Sequence, residues 1–202
     1  KYDGFRLQVH NDGKNIKLFT RRLDEVTRQF PDIVSMIRRG IKAKKYILDC
    51  EIMGYDSKSK RWKPFQDISQ RIKRKYDIDE LIKKIPVKVV AFDIMLLDGE
   101  LLLDKPFKSR RTALKKIIKG NVILAKEIIT DDVKKAENFY RAALSKGAEG
   151  VMAKKLDGVY KPGSRVGYGI KIKPVMETLD LAIVGAEWGT GKRARWLSSF
   201  IL

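Results

Sequence analysis

The sequence predicts an α+β fold from a hairpin, a pair of long apolar strands and a set of amphipathic helices. The hairpin signal is Asn11-Asp12-Gly13-Lys14, set between two alternating runs at residues 5–10 and 16–20. Residues 46–55 and 87–97 are apolar for the length of a buried strand, and Asp98-Gly99 closes the second as a turn. With 202 residues, 44% of them hydrophobic, the chain can bury a substantial core in one large or two small domains.

The helices follow from punctuation and spacing. Pro31 suits the first turn of a short helix carrying Ile33, Val34 and Ile37, which Gly40 can end. Ser109 is expected to cap a helix bearing Leu114, Ile117 and Ile118. A further helix over about 131–146 places Val133, Ala136, Tyr140 and Ala143 on one face before Gly147. Residues 149–154 and 168–173 read as two strands around a loop containing Gly and Pro, at 157–167. A domain boundary is expected near 174–178, giving one domain over 1–177 and the start of another over 178–202. That second piece is expected to open with a strand at 179–185, followed by a basic turn, Gly189-Thr190-Gly191-Lys192-Arg193. There is no internal repeat and no low-complexity tract.

Lys and Arg number 44 against 25 Asp and Glu, for a formal net charge of +19 and a pI near 10.0. Such a field attracts polyanions, nucleic acid first among them. The charge is densest at 57–75, where Lys58, Lys60, Arg61, Lys63, Arg71, Lys73, Arg74 and Lys75 surround Trp62 and Phe65. That stretch suits either a backbone-contacting surface or a solvated loop leading into an amphipathic helix. No run approaches the roughly 18 apolar residues of a membrane span, and the start does not look like a signal sequence. With one cysteine, Cys50, and one histidine, His10, neither an internal disulfide nor a zinc site is expected. Both read as structural, and an intracellular compartment is expected, cytoplasmic in an archaeon or nuclear in a eukaryote.

The chemistry centres on Lys1-Tyr2-Asp3-Gly4. A lysine at the mouth of a strand, with a glycine three residues on, can present its amine to a bound nucleotide, and Lys1 is the candidate nucleophile. Attack requires the free amine, which burial and neighbouring cations favour. Asp49 and Glu51 interrupt an otherwise apolar strand, and a charge there is costly unless paired or functional.

Further along stand Leu48-Asp49-Cys50-Glu51, Ala91-Phe92-Asp93, Glu149-Gly150-Val151-Met152-Ala153-Lys154 and Lys171-Ile172-Lys173. In this order, with the opening Lys-x-Asp-Gly, they resemble motifs I, III, IIIa, IV and V of the covalent nucleotidyltransferases. The closest resemblance is to ATP-dependent DNA ligases of the archaeal and eukaryotic type. Residues Met176-Glu177-Thr178-Leu179-Asp180-Leu181, with Gly185-Ala186 and Gly189-x-Gly191-Lys192-Arg193, resemble the start of the OB-fold in replicative-type ligases. That feature separates DNA ligases from capping guanylyltransferases and RNA ligases, the main enzymatic alternatives. The alternative of another class is a non-catalytic basic nucleic-acid-binding module.

The resemblance implies an adenylation domain of antiparallel sheets with flanking helices, then the opening of an OB-fold β-barrel. It implies ATP and magnesium as cofactors and nicked duplex DNA as partner. A monomer is expected, with a sliding clamp as a further partner through parts not present. Lys1 would carry AMP, with Lys171 and Lys173 as catalytic cations. Arg6, Arg21, Glu51, Phe92, Lys154, Lys171 and Lys173 would bind nucleotide or phosphate, with Phe92 stacking on the base and Arg6 and Arg21 meeting the nucleotide or the nicked phosphate. Glu51 and Glu149 would sit near the metal. The family's usual Trp before the motif V lysine is absent, since Gly169-Ile170 follows Tyr168. The chain is expected to be a piece of a longer protein, because the strand leading into the lysine, any N-terminal DNA-binding domain and motif VI are missing.

Overall fold

The computed structural model describes residues 1–59, 61–73, 76–163, 168–174 and 180–202. Seven strands form one sheet: β1 (Phe5–Asn11), β2 (Ile16–Thr20), β3 (Tyr46–Asp56), β4 (Arg61–Lys63), β5 (Val87–Leu97), β6 (Glu100–Leu101) and β7 (Val122–Leu124). The central order is β2-β1-β3-β5-β6, with β4 against β3 and β7 against β5. Every pairing is antiparallel except β5 with β7. Local chemistry sets the hairpin. Gly13 has φ +98°, and the Asn11 and Asp12 carboxamide and carboxylate accept the N–H groups of Gly13 and Lys14 at 2.9 and 2.8 Å. Asp98 and Gly99 both take positive φ in the β5–β6 turn, and the Asp98 carboxylate also accepts the N–H groups of Lys44 and Lys45.

Alternation gives the sheet two unlike faces. Leu7, Val9, Leu48, Cys50, Ile52, Val89, Ala91 and Ile94 point into the core. Ile33 and Ile37 of α1 (Pro31–Gly40) join them there, as do Leu114 and Ile117 of α4 (Phe107–Ile117). Gly40 ends α1 at a close approach, since a Cβ would lie 2.6 Å from Val122 Cγ2. The other face carries Arg6 opposite Glu51 and Gln8 opposite Asp49. It is the face on which chemistry can be built.

Several expectations need correction. Ser109 lies inside α4, which starts at Phe107 after Pro106. Its first N–H groups are taken by backbone: Phe107 donates to Gly158 O at 2.9 Å and Lys108 to Leu156 O at 2.8 Å. No side-chain cap is needed there. Asp132 does cap α5 (Val133–Leu144), accepting from the N–H groups of Lys134 and Lys135. In α5, Tyr140 and Ala143 are half-buried while Val133 and Ala136 are exposed.

Arg71, on α2 (Phe65–Lys73), is not part of a basic surface. It is 1% exposed, bonds both oxygens of Asp32 and lies over the Phe30 ring. Trp62 packs edge-on against Tyr2 and Tyr55, and Phe65 against the core, so these aromatics serve the scaffold. Lys60, Arg74 and Lys75 lie outside the described residues, as does the Lys73 side chain. A short helix, α3 (Ile78–Lys84), precedes β5.

Two small antiparallel ribbons complete the described residues: β8 (Val151–Lys154) with β9 (Gly169–Ile172), and β10 (Gly185–Trp188) with β11 (Leu197–Ile201). The strand expected at 179–185 starts at Gly185 instead, where the ladder opens with Val184 N–H on Ile201 O at 2.9 Å. The proposed domain boundary at 177/178 and most of the Met176 to Leu181 motif lie outside the described residues. Among the described helices none is long and apolar enough to cross a membrane.

Candidate active site

Three residues far apart in sequence meet at one carboxylate. Lys1 and Lys173 donate their ammonium groups to the two oxygens of Glu149. Backbone placement explains the meeting. The Glu149 N–H donates to Lys1 O at 2.9 Å, which lays the opening segment against the approach to β8. Gly150 has φ +145°, and a Cβ there would sit 2.1 Å from Ile172 O, so only glycine lets Glu149 reach this position beside β9. Met152 pairs with Lys171 and Lys154 with Gly169, so Lys154, Lys171 and Lys173 project from one face of the ribbon.

The remaining motif I residues act as fasteners. The Asp3 carboxylate accepts the N–H of Phe65 at 3.2 Å, at the start of α2. Gly4 passes so close to β3 that a Cβ would be 2.2 Å from Ile52 O and 3.0 Å from Glu51 Cγ. Lys1 is thereby held between the Glu149 segment that leads into β8 and the Glu51 strand, β3.

The two glutamates differ electrostatically. Burial pushes the Glu51 carboxyl up to about 7, although the charge of Lys1 opposes the shift. Burial also pushes Glu149 up, but the bonds and charges of Lys1 and Lys173 together outweigh it and hold the carboxylate below its ordinary range. Glu149 is therefore a fixed anion at neutral pH, whereas Glu51 can gain or lose a proton there.

A second cluster lies on the same face of the large sheet. Arg6 donates Nε–H and Nη2–H to the two oxygens of Asp49, each at 2.7 Å, and Nη2–H also to the Tyr160 hydroxyl at 2.7 Å. Tyr160 in turn donates to Asp49 Oδ2 at 2.9 Å. Asp93, opposite Asp49 in the register, takes a bidentate pair of bonds from Arg110 at 2.8 and 3.1 Å. The register then jumps to Cys50 opposite Ala91, which leaves Phe92 unpaired at an irregularity in β5. Lys154 Nζ lies 5.1 Å from the Phe92 ring centre, 4.4 Å from that of Phe107 and 3.8 Å from Asp93 Oδ2. Burial lowers Lys154 from the usual lysine range, with the charge of Asp93 resisting.

The structure thus brings Lys1, Glu149 and Lys173 together, places Glu51 and Arg6 opposite each other on adjacent strands, and joins Lys154 to Phe92. Lys171 shares the lysine face but is exposed, and Arg21 is exposed just beyond β2. Sequence reasoning missed Tyr160, Arg110 and Phe107. The signal for two of them was present: buried Asp49 and Asp93 each required a partner. Among the described residues no three His, Cys, Asp or Glu side chains cluster as a ready metal cage. Two carboxylates fit magnesium, which is commonly held by one or two carboxylates together with substrate phosphates.

A family model described as "ATP dependent DNA ligase domain" matches residues 1–173. The chain belongs to that family. Among curated relatives, this ligase domain is 55% identical over 203 residues to a DNA ligase of Nanoarchaeum equitans and 47% identical over 204 residues to one of Thermococcus onnurineus. The matches cover 99% and 100% of this chain but 36% of each relative, so the chain spans about a third of their length. Among solved structures, a mycobacterial DNA ligase D complexed with ATP and MES aligns with TM-score 0.64 at 27% identity, over 86% of this chain and 52% of that one. A structure titled Pmar-Lig_Pre aligns with TM-score 0.73 at 22% identity over 99% of this chain and 47% of that one, a likeness of fold. The α+β class is that of these neighbours.

Proposed function

We propose that this chain is the adenylation part of an intracellular, monomeric DNA ligase that seals 5′-phosphate/3′-hydroxyl nicks in duplex DNA at the expense of ATP. The observation that carries the reading is the convergence of Lys1 and Lys173 on Glu149, beside Glu51, in a chain of the ATP-dependent ligase family.

In the first step Lys1 Nζ attacks the α-phosphorus of ATP. A nitrogen–phosphorus bond forms, the bond to the β-phosphate oxygen breaks, and pyrophosphate leaves. Attack requires the free amine, which the neighbouring cations Lys154, Lys171 and Lys173 favour, so the ammonium proton is lost before the nitrogen–phosphorus bond forms. Lys154, Lys171 and Lys173 offset the charge that builds on the phosphoryl oxygens, where positioning and electrostatics supply most of the catalysis. Phe92 stacks on the base. Magnesium, when bound with the nucleotide, screens the leaving pyrophosphate, and Glu51 and Glu149 are the carboxylates that would hold it. An oxygen of the nick 5′-phosphate next attacks the same phosphorus and releases Lys1, with Arg6 and Arg21 meeting the nucleotide or that phosphate. The 3′-hydroxyl then displaces AMP and joins the strand.

The reading divides the chain at 177/178, with 178–202 opening an OB-fold. The basic surface grips the duplex backbone without reading sequence, and a sliding clamp would be reached through segments outside this chain.

The test is covalent labelling of the full-length protein with α-labelled ATP, GTP or labelled NAD. Acid-labile label from ATP that is lost in Lys1→Ala, with sealing of nicked DNA, is the expected result. Label from GTP would move the protein to the capping enzymes, and no label from any nucleotide would leave a non-catalytic binding module.

A further inference from the structure

Arg6 has five N–H groups, and three are already used. Nε–H and one Nη2–H bond Asp49, and the second Nη2–H bonds the Tyr160 hydroxyl, all at 2.7 Å. Among the described residues Nη1 has no partner, and the side chain is 37% exposed. Arg6 therefore presents one edge, the two N–H groups of Nη1, to whatever anion approaches.

Tyr160 is held for this purpose by its surroundings. Its N–H donates to Leu103 O at 2.8 Å, and the neighbouring Gly158 O accepts from Phe107 N–H at 2.9 Å and Arg110 Nη1 at 3.1 Å. The loop that follows β8 is thus stitched to the start of α4. Burial, with the charge of Asp49, pushes the Tyr160 phenol up, so it keeps its proton and donates to Asp49 while accepting from Arg6. The hydroxyl closes a three-membered ring of hydrogen bonds that leaves the guanidinium one orientation.

We propose that Tyr160 is a positioning residue: by saturating Nη2 of Arg6 it fixes the guanidinium so that Nη1 meets a phosphate group. The phosphate comes either from the nucleotide or from the 5′ end at the nick. The proposal rests on the ligase reading above but adds a residue and a geometry to it. Removing the hydroxyl frees an Nη2–H and unlocks the plane, at the cost of one charge-assisted hydrogen bond.

The experiment uses the full-length protein and Tyr160→Phe. Single-turnover formation of the lysyl-AMP bond reads the nucleotide phosphate; AMP transfer from pre-adenylylated enzyme to nicked DNA reads the 5′-phosphate. A loss of roughly tenfold in one of these steps is expected, and the affected step names the phosphate. In an Arg6→Lys background, which keeps a cation beside Asp49 but has no second edge to saturate, Tyr160→Phe should have no further effect. Unchanged rates in both steps, or losses that multiply with those of Arg6→Lys, would overturn the proposal. Failure of the wild-type protein to form lysyl-AMP would instead strike the ligase reading itself.

Discussion

The carboxylates of the two charged clusters are hydrogen-bonded by different cations, and the difference separates structure from chemistry. On the large sheet, Arg110 and Asp93 are 3% and 4% exposed and locked by a bidentate pair of bonds. At the ribbon, Lys173 and Glu149 are 46% and 31% exposed, and one carboxylate serves two ammonium groups. A guanidinium has a rigid planar fork that suits buried pairing, whereas an ammonium is a point charge on a flexible stem that can change partners. The arginine side ties α4 and the loop at Gly158 to β5; the lysine side can release Glu149 and turn to a phosphate. Arg6 stands between them, paired like the first cluster and open to solvent like the second.

The contrast breaks most visibly at Arg110. Arg110→Ala takes the bidentate partner from the buried Asp93 carboxylate and leaves Lys154, at 3.8 Å, as its one facing cation among the described residues, and unfolding free energy should fall by about 3 kcal/mol, read as a lower urea midpoint. A shift below about 1 kcal/mol would mean that the arginine side is dispensable. Gly150 tests how strictly the lysine side depends on backbone placement. Gly150→Ala forces a Cβ onto Ile172 O and strains a positive φ, so Glu149 moves relative to Lys1. Lysyl-AMP formation should fall by about 100-fold with a stability loss of about 1–3 kcal/mol; full activity would show that this carboxylate need not sit where it does.

A third effect is read against pH at Glu51. Its carboxyl is raised by burial to about 7 from an ordinary value of 4.5, so between those values the folded state binds more protons than the unfolded state. Stability from this group is present below about 4.5 and is lost as pH rises through about 7. Glu51→Gln cannot ionise, so its melting temperature relative to wild type should rise from pH 5 to pH 8. A flat difference across that range would show that Glu51 does not hold its proton in the folded protein.

The large sheet was legible because apolar periodicity and turn residues are local: the 11–14 turn and the apolar runs of β3 and β5 appear where their residues dictate. Lys1, Glu149 and Lys173 were legible as a family pattern, and the backbone constraints at Gly4 and Gly150 explain why glycine accompanies them. What failed depends on contacts across long separations. Arg71 looked like one more surface cation but turns inward to Asp32, 39 positions away. Tyr160 lies 154 residues from Arg6, in a loop whose position is set by backbone bonds to α4. Ser109 lost its capping role because the 156–158 backbone already satisfies the helix start. No local signal carries such partners, though buried aspartates announce that some partner must exist.

The division of labour is tested most directly by Lys173→Ala in the full-length protein, with urea unfolding and lysyl-AMP formation measured on the same preparation. A half-exposed ion pair contributes about 0–1 kcal/mol, whereas a cation facing the reacting phosphate is worth about 100- to 1,000-fold in rate. The account predicts an almost unchanged midpoint with a rate lowered by that factor. A lowered midpoint with a normal rate would contradict it and make the lysine side another structural clasp.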